Sequence, residues 1–137
     1  MRRAIAIAVF VSLGAAGAAS AENWKPFAGD PAALQWFYDA DYAYKDQESG
    51  KVVVMQAVSK PSAKVGPSGP GKPDGVGSIV ALDCAKKTLT LVASYKPGVE
   101  PAEADGWRQD KGKKVSSDDD KALLGAVCAG ADGLPTK

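Results

Sequence analysis

The sequence predicts an α+β domain: an antiparallel β-sheet with a C-terminal α-helix packed on one face and tied to it by one disulfide. Three observations predict it. Ser78 to Tyr95, SIVALDCAKKTLTLVASY, reads as two strands around a tight turn. Ser117 to Cys128 carries a capping serine, three aspartates and an apolar stripe at helical spacing. The chain's two cysteines, Cys84 and Cys128, stand at the end of the hairpin's first strand and at the end of that helical pattern.

The elements follow in order. Arg2 and Arg3 precede an apolar run from Ala4 to Val11 and a small-residue stretch ending Ala19-Ser20-Ala21. This is the pattern of a signal peptide cut between Ala21 and Glu22. The run is short and alanine-rich for a membrane span, and no second apolar segment follows it. Residues 22–137 then form a single domain. No cysteine lies near the cut, so the mature chain is expected to be soluble and free of a lipid anchor. Cleavage takes the net charge from +1 to −1, because Arg2 and Arg3 leave with the leader. That balance argues against nucleic acid or an anionic membrane as the main partner. Lys111, Lys113 and Lys114 read as a solvated turn.

Glu22 to Phe27 reads as a short edge strand, where Pro26 is tolerable. Asp30-Pro31 has the form of a helix start. The strand formers Trp36, Phe37, Tyr38, Tyr42 and Tyr44 outweigh it and predict one strand over 35–44. In that strand Trp36, Tyr38, Tyr42 and Tyr44 share one face, and Asp39 and Asp41 share the other. Asp46 to Gly50 is a polar turn. Lys51 to Ser59, rich in valine, is the clearest strand and should pair antiparallel with the one before it.

Lys60 to Gly77 holds four prolines and five glycines and reads as a long loop. It is not a phosphate loop: Gly71-Lys72 is followed by Pro73 where serine or threonine is needed. In the hairpin, Val80, Leu82 and Cys84 share one face and Ile79, Ala81 and Asp83 the other. Ala85 to Lys87 makes the turn. Leu89, Leu91, Ala93 and Tyr95 then alternate with Thr88, Thr90, Val92 and Ser94. Gly106 to Gln109 reads as a last short strand carrying Trp107 inward.

Ser116 or Ser117 caps the helix, and Asp118, Asp119 and Asp120 meet its dipole favourably in the first turn. Leu123, Leu124, Val127 and Cys128 form its apolar stripe, Gly130 is placed to stop it, and Ala131 to Lys137 is expected to fray. Two cysteines in an exported chain suggest one disulfide, with two free thiols as the alternative. A metal pair is poorly supported, since the chain has no histidine. A ring of about 45 residues would contribute about 4 kcal/mol in the loop-entropy description.

The leader, Trp24, Tyr38-Asp39, the valines 52–54, Ser78 through Asp83-Cys84, Tyr95, Trp107, and Ser117 before a short helix ending Val127-Cys128 occur in a telling order. In that order the chain resembles the bacterial surface-adhesin protein E-like family over nearly all of its mature length. Asp83-Cys84, Tyr95 and the Cys128 helix end are the most specific parts. The resemblance implies a sheet tied to a C-terminal helix by Cys84–Cys128. For the family's namesake it implies binding of host extracellular proteins such as vitronectin, laminin and plasminogen at the bacterial surface. The chain departs from that pattern in lacking a lipid-attachment cysteine and in the Gly/Pro content of 60–77.

Catalysis finds little support. No histidine is present to act as a base near neutral pH. Asp39 and Asp41 on one strand face admit acid–base or calcium chemistry, but charges on a wet face explain them more simply. Asp118 to Asp120 point in different directions at a helix start and serve as capping charge. Ser94 and the other serines have no activating partner in sequence. The expectation is a non-enzymatic, exported protein-binding module without cofactor, metal or catalytic residues. Its partner would be a protein ligand, such as a host extracellular-matrix or serum protein. The alternative is a periplasmic accessory or inhibitor protein of the cell envelope. Its location would be the periplasm, with cell surface or medium as second choice.

Overall fold

Val52–Ser59, strand β4, is buried along almost its whole length, on both faces. A sheet whose central strand is buried on both faces must be covered on both sides, and this one is. The computed structural model describes residues 23–59, 76–95 and 99–137. Around β4 lie β1 (Trp24–Gly29), β2 (Gln35–Asp39), β3 (Tyr44–Lys45), β5 (Val76–Asp83), β6 (Thr88–Tyr95) and β7 (Lys113–Lys114). All their ladders are antiparallel, in the order β1-β2-β4-β5-β6-β7, with β3 also on β4. One helix, α1 (Asp118–Cys128), and a 3-10 turn at Ala131–Gly133 complete the described chain.

The predicted α+β architecture is present. On one face Val52, Val54, Val80 and Leu82 pack with Leu123 and Val127 of α1, and Phe27, Tyr38, Cys84 and Leu124 border them. The opposite face gathers Val53, Met55, Ile79, Ala81, Val92, Ala93 and Trp107, with Trp24, Tyr42 and Tyr44 at its margin. Leu123 is fully buried, and its replacement by alanine would cost about 2–5 kcal/mol. Ser117 caps α1: its Oγ accepts from Asp120 N at 3.1 Å.

Several sequence expectations are corrected. The strand expected over 35–44 breaks after Asp39. The Asp39 carboxylate accepts from the backbone N–H of Asp41 at 3.0 Å, the local bond by which aspartate closes a turn. Tyr38 consequently packs on the helix side, while Tyr42 and Tyr44 pack on the other. Asp30-Pro31 opens a turn between β1 and β2, in which Asp30 N donates to Leu34 O at 2.8 Å. A Cβ at Gly29, whose φ is +88°, would run into the Leu34 carbonyl.

Alternation in β6 fails at Val92, where a bulge turns both Val92 and Ala93 inward and leaves Leu91 56% exposed. Gly106 to Gln109 is a turn, not a strand. Gly106 sits at φ +71° and its carbonyl accepts from both Gln109 N and Asp110 N. Trp107 is buried as expected, at 3% exposure. The last strand instead holds Lys113 and Lys114, paired to Leu89 and Thr88. Gly112 before it sits at φ +71°, and a Cβ there would press on Thr90 Oγ1 and the Leu89 carbonyl.

The C-terminal tail does not fray. Lys45 N donates to Pro135 O at 2.8 Å, Lys137 N to Lys45 O at 2.9 Å and Gln47 N to Lys137 O at 2.7 Å. The tail thus supplies β3 with the backbone partners that an edge strand otherwise lacks. β5 begins at Val76, inside the expected loop; residues 60–75 of that loop lie outside the described residues.

Candidate functional site

Cys84 and Cys128 are bonded, with Cα atoms 5.8 Å apart. Alternation along β5 turns Cys84 to the helix side, and the heptad-like stripe of α1 turns Cys128 toward the sheet. Beside this bond runs an open groove of about 580 Å³. Cys84, Cys128, Val115, Leu124, Gly125 and Ala129 form its apolar lining, and Lys87, Lys114 and Lys121 complete the wall.

The three lysines come from three separate elements. Lys87 closes the β5–β6 turn at φ +55°. That turn is fixed at its start by Asp83, whose Oδ1 accepts from Lys86 N at 2.9 Å. Lys114 ends β7, and the next residue, Val115, donates its N–H to Lys87 O at 3.0 Å. That bond holds the two lysine-bearing segments side by side. Lys121 stands on α1 one turn before Leu124 and Gly125. Each lysine is exposed, and among the described residues the only side-chain ion pairs belong to Arg108. Among the described residues no carboxylate lines the groove. The arrangement is an apolar concavity bounded by three free ammonium groups. Such a site attracts negative charge and can bury an apolar side chain.

A second polar cluster lies on the other side of the sheet, and it builds structure. Asp46 is 3% exposed. It accepts from Ser49 Oγ at 2.6 Å, from Ser49 N at 2.8 Å and from Arg108 Nε at 3.1 Å. Burial pushes its carboxyl pKa up, but these hydrogen bonds and the guanidinium charge outweigh it and hold the group below its ordinary range. Lys51, 8% exposed, donates through Nζ to the carbonyl oxygens of Trp107 and Asp110 at 3.1 and 2.6 Å. Arg108 lies 4.4 Å over the Trp107 ring, whose Nε1 donates to Glu103 at 3.0 Å. Nearby, burial, Tyr44 and the Glu103 charge push Tyr42 up to about 12. Burial and the charges of Glu103 and Asp46 raise Tyr44 as well, against the lowering influence of Arg108. Among the described residues no buried side-chain nitrogen or oxygen is left without a hydrogen-bond partner.

The structure sorts the sequence candidates. Cys84 and Cys128 come together. Ala21 and Glu22, flanking the expected cut, lie outside the described residues. Asp39 and Asp41 do not share a strand face. Asp39 is a buried turn-former that also accepts from Asn23 N at 3.0 Å, and Asp41 accepts from Asn23 Nδ2 at 3.3 Å. Asp118 to Asp120 fill the first turn of α1. Ser94 is exposed beside a separate depression of about 290 Å³ with Val99 and Glu100.

The lysine wall was missed in sequence. Lys114 belonged to a run read as a solvated turn and Lys87 to a hairpin turn, and Lys121 carried no signal of its own, so only the fold assembles them. Gly125 was the available signal: a glycine in mid-helix costs about 1 kcal/mol relative to alanine. No protein-family model, curated protein or solved structure matches this chain.

Proposed function

We propose that the chain is an exported protein-binding module, in keeping with its resemblance to the surface-adhesin protein E-like family, and that its ligands are extracellular proteins of a host. The observation that carries this reading is the groove at Cys84–Cys128. It is concave and apolar, bounded by unpaired cations, and set on a frame braced by the disulfide. A rigid frame reduces the ordering cost of association. The leader-like N-terminus supports export, and a disulfide is compatible with an oxidising compartment.

The test is surface plasmon resonance of the mature, oxidised chain over immobilised vitronectin, laminin and plasminogen. Saturable binding to at least one is expected. A flat response on all three would reject the host-protein reading. Protease digestion of intact cells supplies the second arm. Cleavage before permeabilisation is expected of a surface module, whereas protection until permeabilisation would move the reading to a periplasmic envelope protein.

A further inference from the structure

Gly125 stands in the middle of an eleven-residue helix, and nothing in the fold requires glycine there. A Cβ at this position would meet nothing beyond its own helix backbone within 4 Å, and its φ is not in the left-handed region. Glycine weakens the helix at this point and stabilises no contact in return. Its effect is on the surface: it keeps the wall between Lys121 and Ala129 open above Leu124 and the disulfide.

We infer that this groove is the docking site for an acidic, amphipathic segment of a partner protein, with one apolar side chain seated over Gly125 and Leu124 and carboxylates meeting Lys87, Lys114 and Lys121. This rests on the protein-binding reading above and names the chemistry of its ligand. Two features select that occupant. Among the described residues the groove's charge is all of one sign, with no carboxylate in its lining, so the complementary partner is anionic. The groove is also open to solvent, with Gly125 and Ala129 exposed on its helix side. A hydrocarbon chain would stay largely wet in such a trough, while an amphipathic peptide covers its own outer side and needs only one apolar face buried.

The experiment titrates the ¹⁵N-labelled, oxidised mature chain with a short peptide carrying leucines at helical spacing and glutamates between them. The controls are the same peptide with every glutamate replaced by glutamine, and dodecyl phosphate. Expected are amide shifts at Lys87, Val115, Lys121, Leu124, Gly125 and Ala129 with the glutamate peptide. Added salt should weaken them, since exposed charges are screened. The glutamine peptide should bind about tenfold more weakly, a little over twofold for each exposed ion pair lost. The variant Lys87→Gln/Lys114→Gln/Lys121→Gln should show the same loss.

Gly125→Phe fills the trough from a position where the fold has room, so it should keep a dispersed spectrum and lose the peptide. Equal binding of the two peptides, shifts outside the groove, occupancy by dodecyl phosphate alone, no binding at all, or undiminished binding by Gly125→Phe would each overturn the inference. The module reading fails separately. If the lysine variant binds an immobilised matrix protein as well as wild type does, the groove assignment is wrong and the module reading stands. If the peptide docks but no matrix protein binds, the groove assignment stands and the host-protein reading falls.

Discussion

Arg108 donates through Nε to both carboxylate oxygens of Asp46, at 3.1 and 3.2 Å, although 62 residues separate them. The pair joins the turn before β4 to the turn that buries Trp107. With Lys51 bonded to the carbonyls of Trp107 and Asp110, it fastens the irregular segment 105–110 over the second face of the sheet. A sheet apolar on both faces needs such a cover, and here no second helix provides it among the described residues.

Asp46→Asn should therefore destabilise the fold by about 1–3 kcal/mol at neutral pH, the range for disturbing a buried, charge-assisted hydrogen bond. The carboxyl is held below its ordinary value of 3.8 in the fold. Its contribution is present above that value and is lost as pH falls through the lower folded one. Wild type and variant should accordingly converge in stability at acid pH. Urea unfolding of both proteins from neutral pH to about pH 2 checks this. A gap that stays constant through the acid range would contradict it.

The fold class, the central hairpin, the capped helix and the facing cysteines were legible because each is written in local periodicity or composition. Valine and leucine alternation turned Cys84 to the side where the helix stripe places Cys128. The break at Asp39 was not legible, because strand propensity favours Trp36 through Tyr44, and the local bond from Asp41 N that turns the chain is reinforced by a tertiary one from Asn23 N. The second-face cluster was hidden for a similar reason. Asp46 reads as part of a polar turn and Lys51 as the first residue of a strand until the segment 56–62 positions later folds over them. Docking of the C-terminal tail uses backbone groups, which carry no side-chain pattern at all.

Cys128→Ser removes a cross-link spanning 44 positions. The loop-entropy description sets its contribution at about 4 kcal/mol. The loss should be uneven. β4, β5 and β6 keep their ladders, whereas α1 is short and loses its anchor. Hydrogen exchange should accelerate most in residues 118–128. Unchanged exchange there, with a weakened sheet, would show that the disulfide braces the strands instead.

Ending the chain at Leu134 tests the tail. The truncation deletes three backbone hydrogen bonds to Lys45 and Gln47, and the Lys137 ammonium 5.1 Å from the Tyr44 ring. At about 1 kcal/mol for each bond and somewhat less for the cation–π contact, the loss is about 2–4 kcal/mol. The urea midpoint should fall with little change in slope, since few apolar groups leave the core. A midpoint equal to that of the full chain would mean that the tail's bonds merely replace equivalent bonds to water.

Tyr42 should make the fold less stable at alkaline pH. Its phenol would ionise at 10.0 in the unfolded chain, but in the fold burial, Tyr44 and Glu103 push it up to about 12. The folded state thus keeps a proton that the unfolded state releases. The stability linked to Tyr42 is complete below pH 10 and is lost as pH rises toward 12. Tyr44 is displaced in the same direction, so ionising either phenol opposes ionising the other. Tyr42→Phe removes the proton and leaves the ring, so the variant should lose less stability than wild type over that window. The difference between their phenolate absorbance titrations should isolate one late-titrating tyrosine. If the missing group instead titrates at the ordinary value of 10.0, Tyr42 is less buried beside Tyr44 and Glu103 than the fold requires.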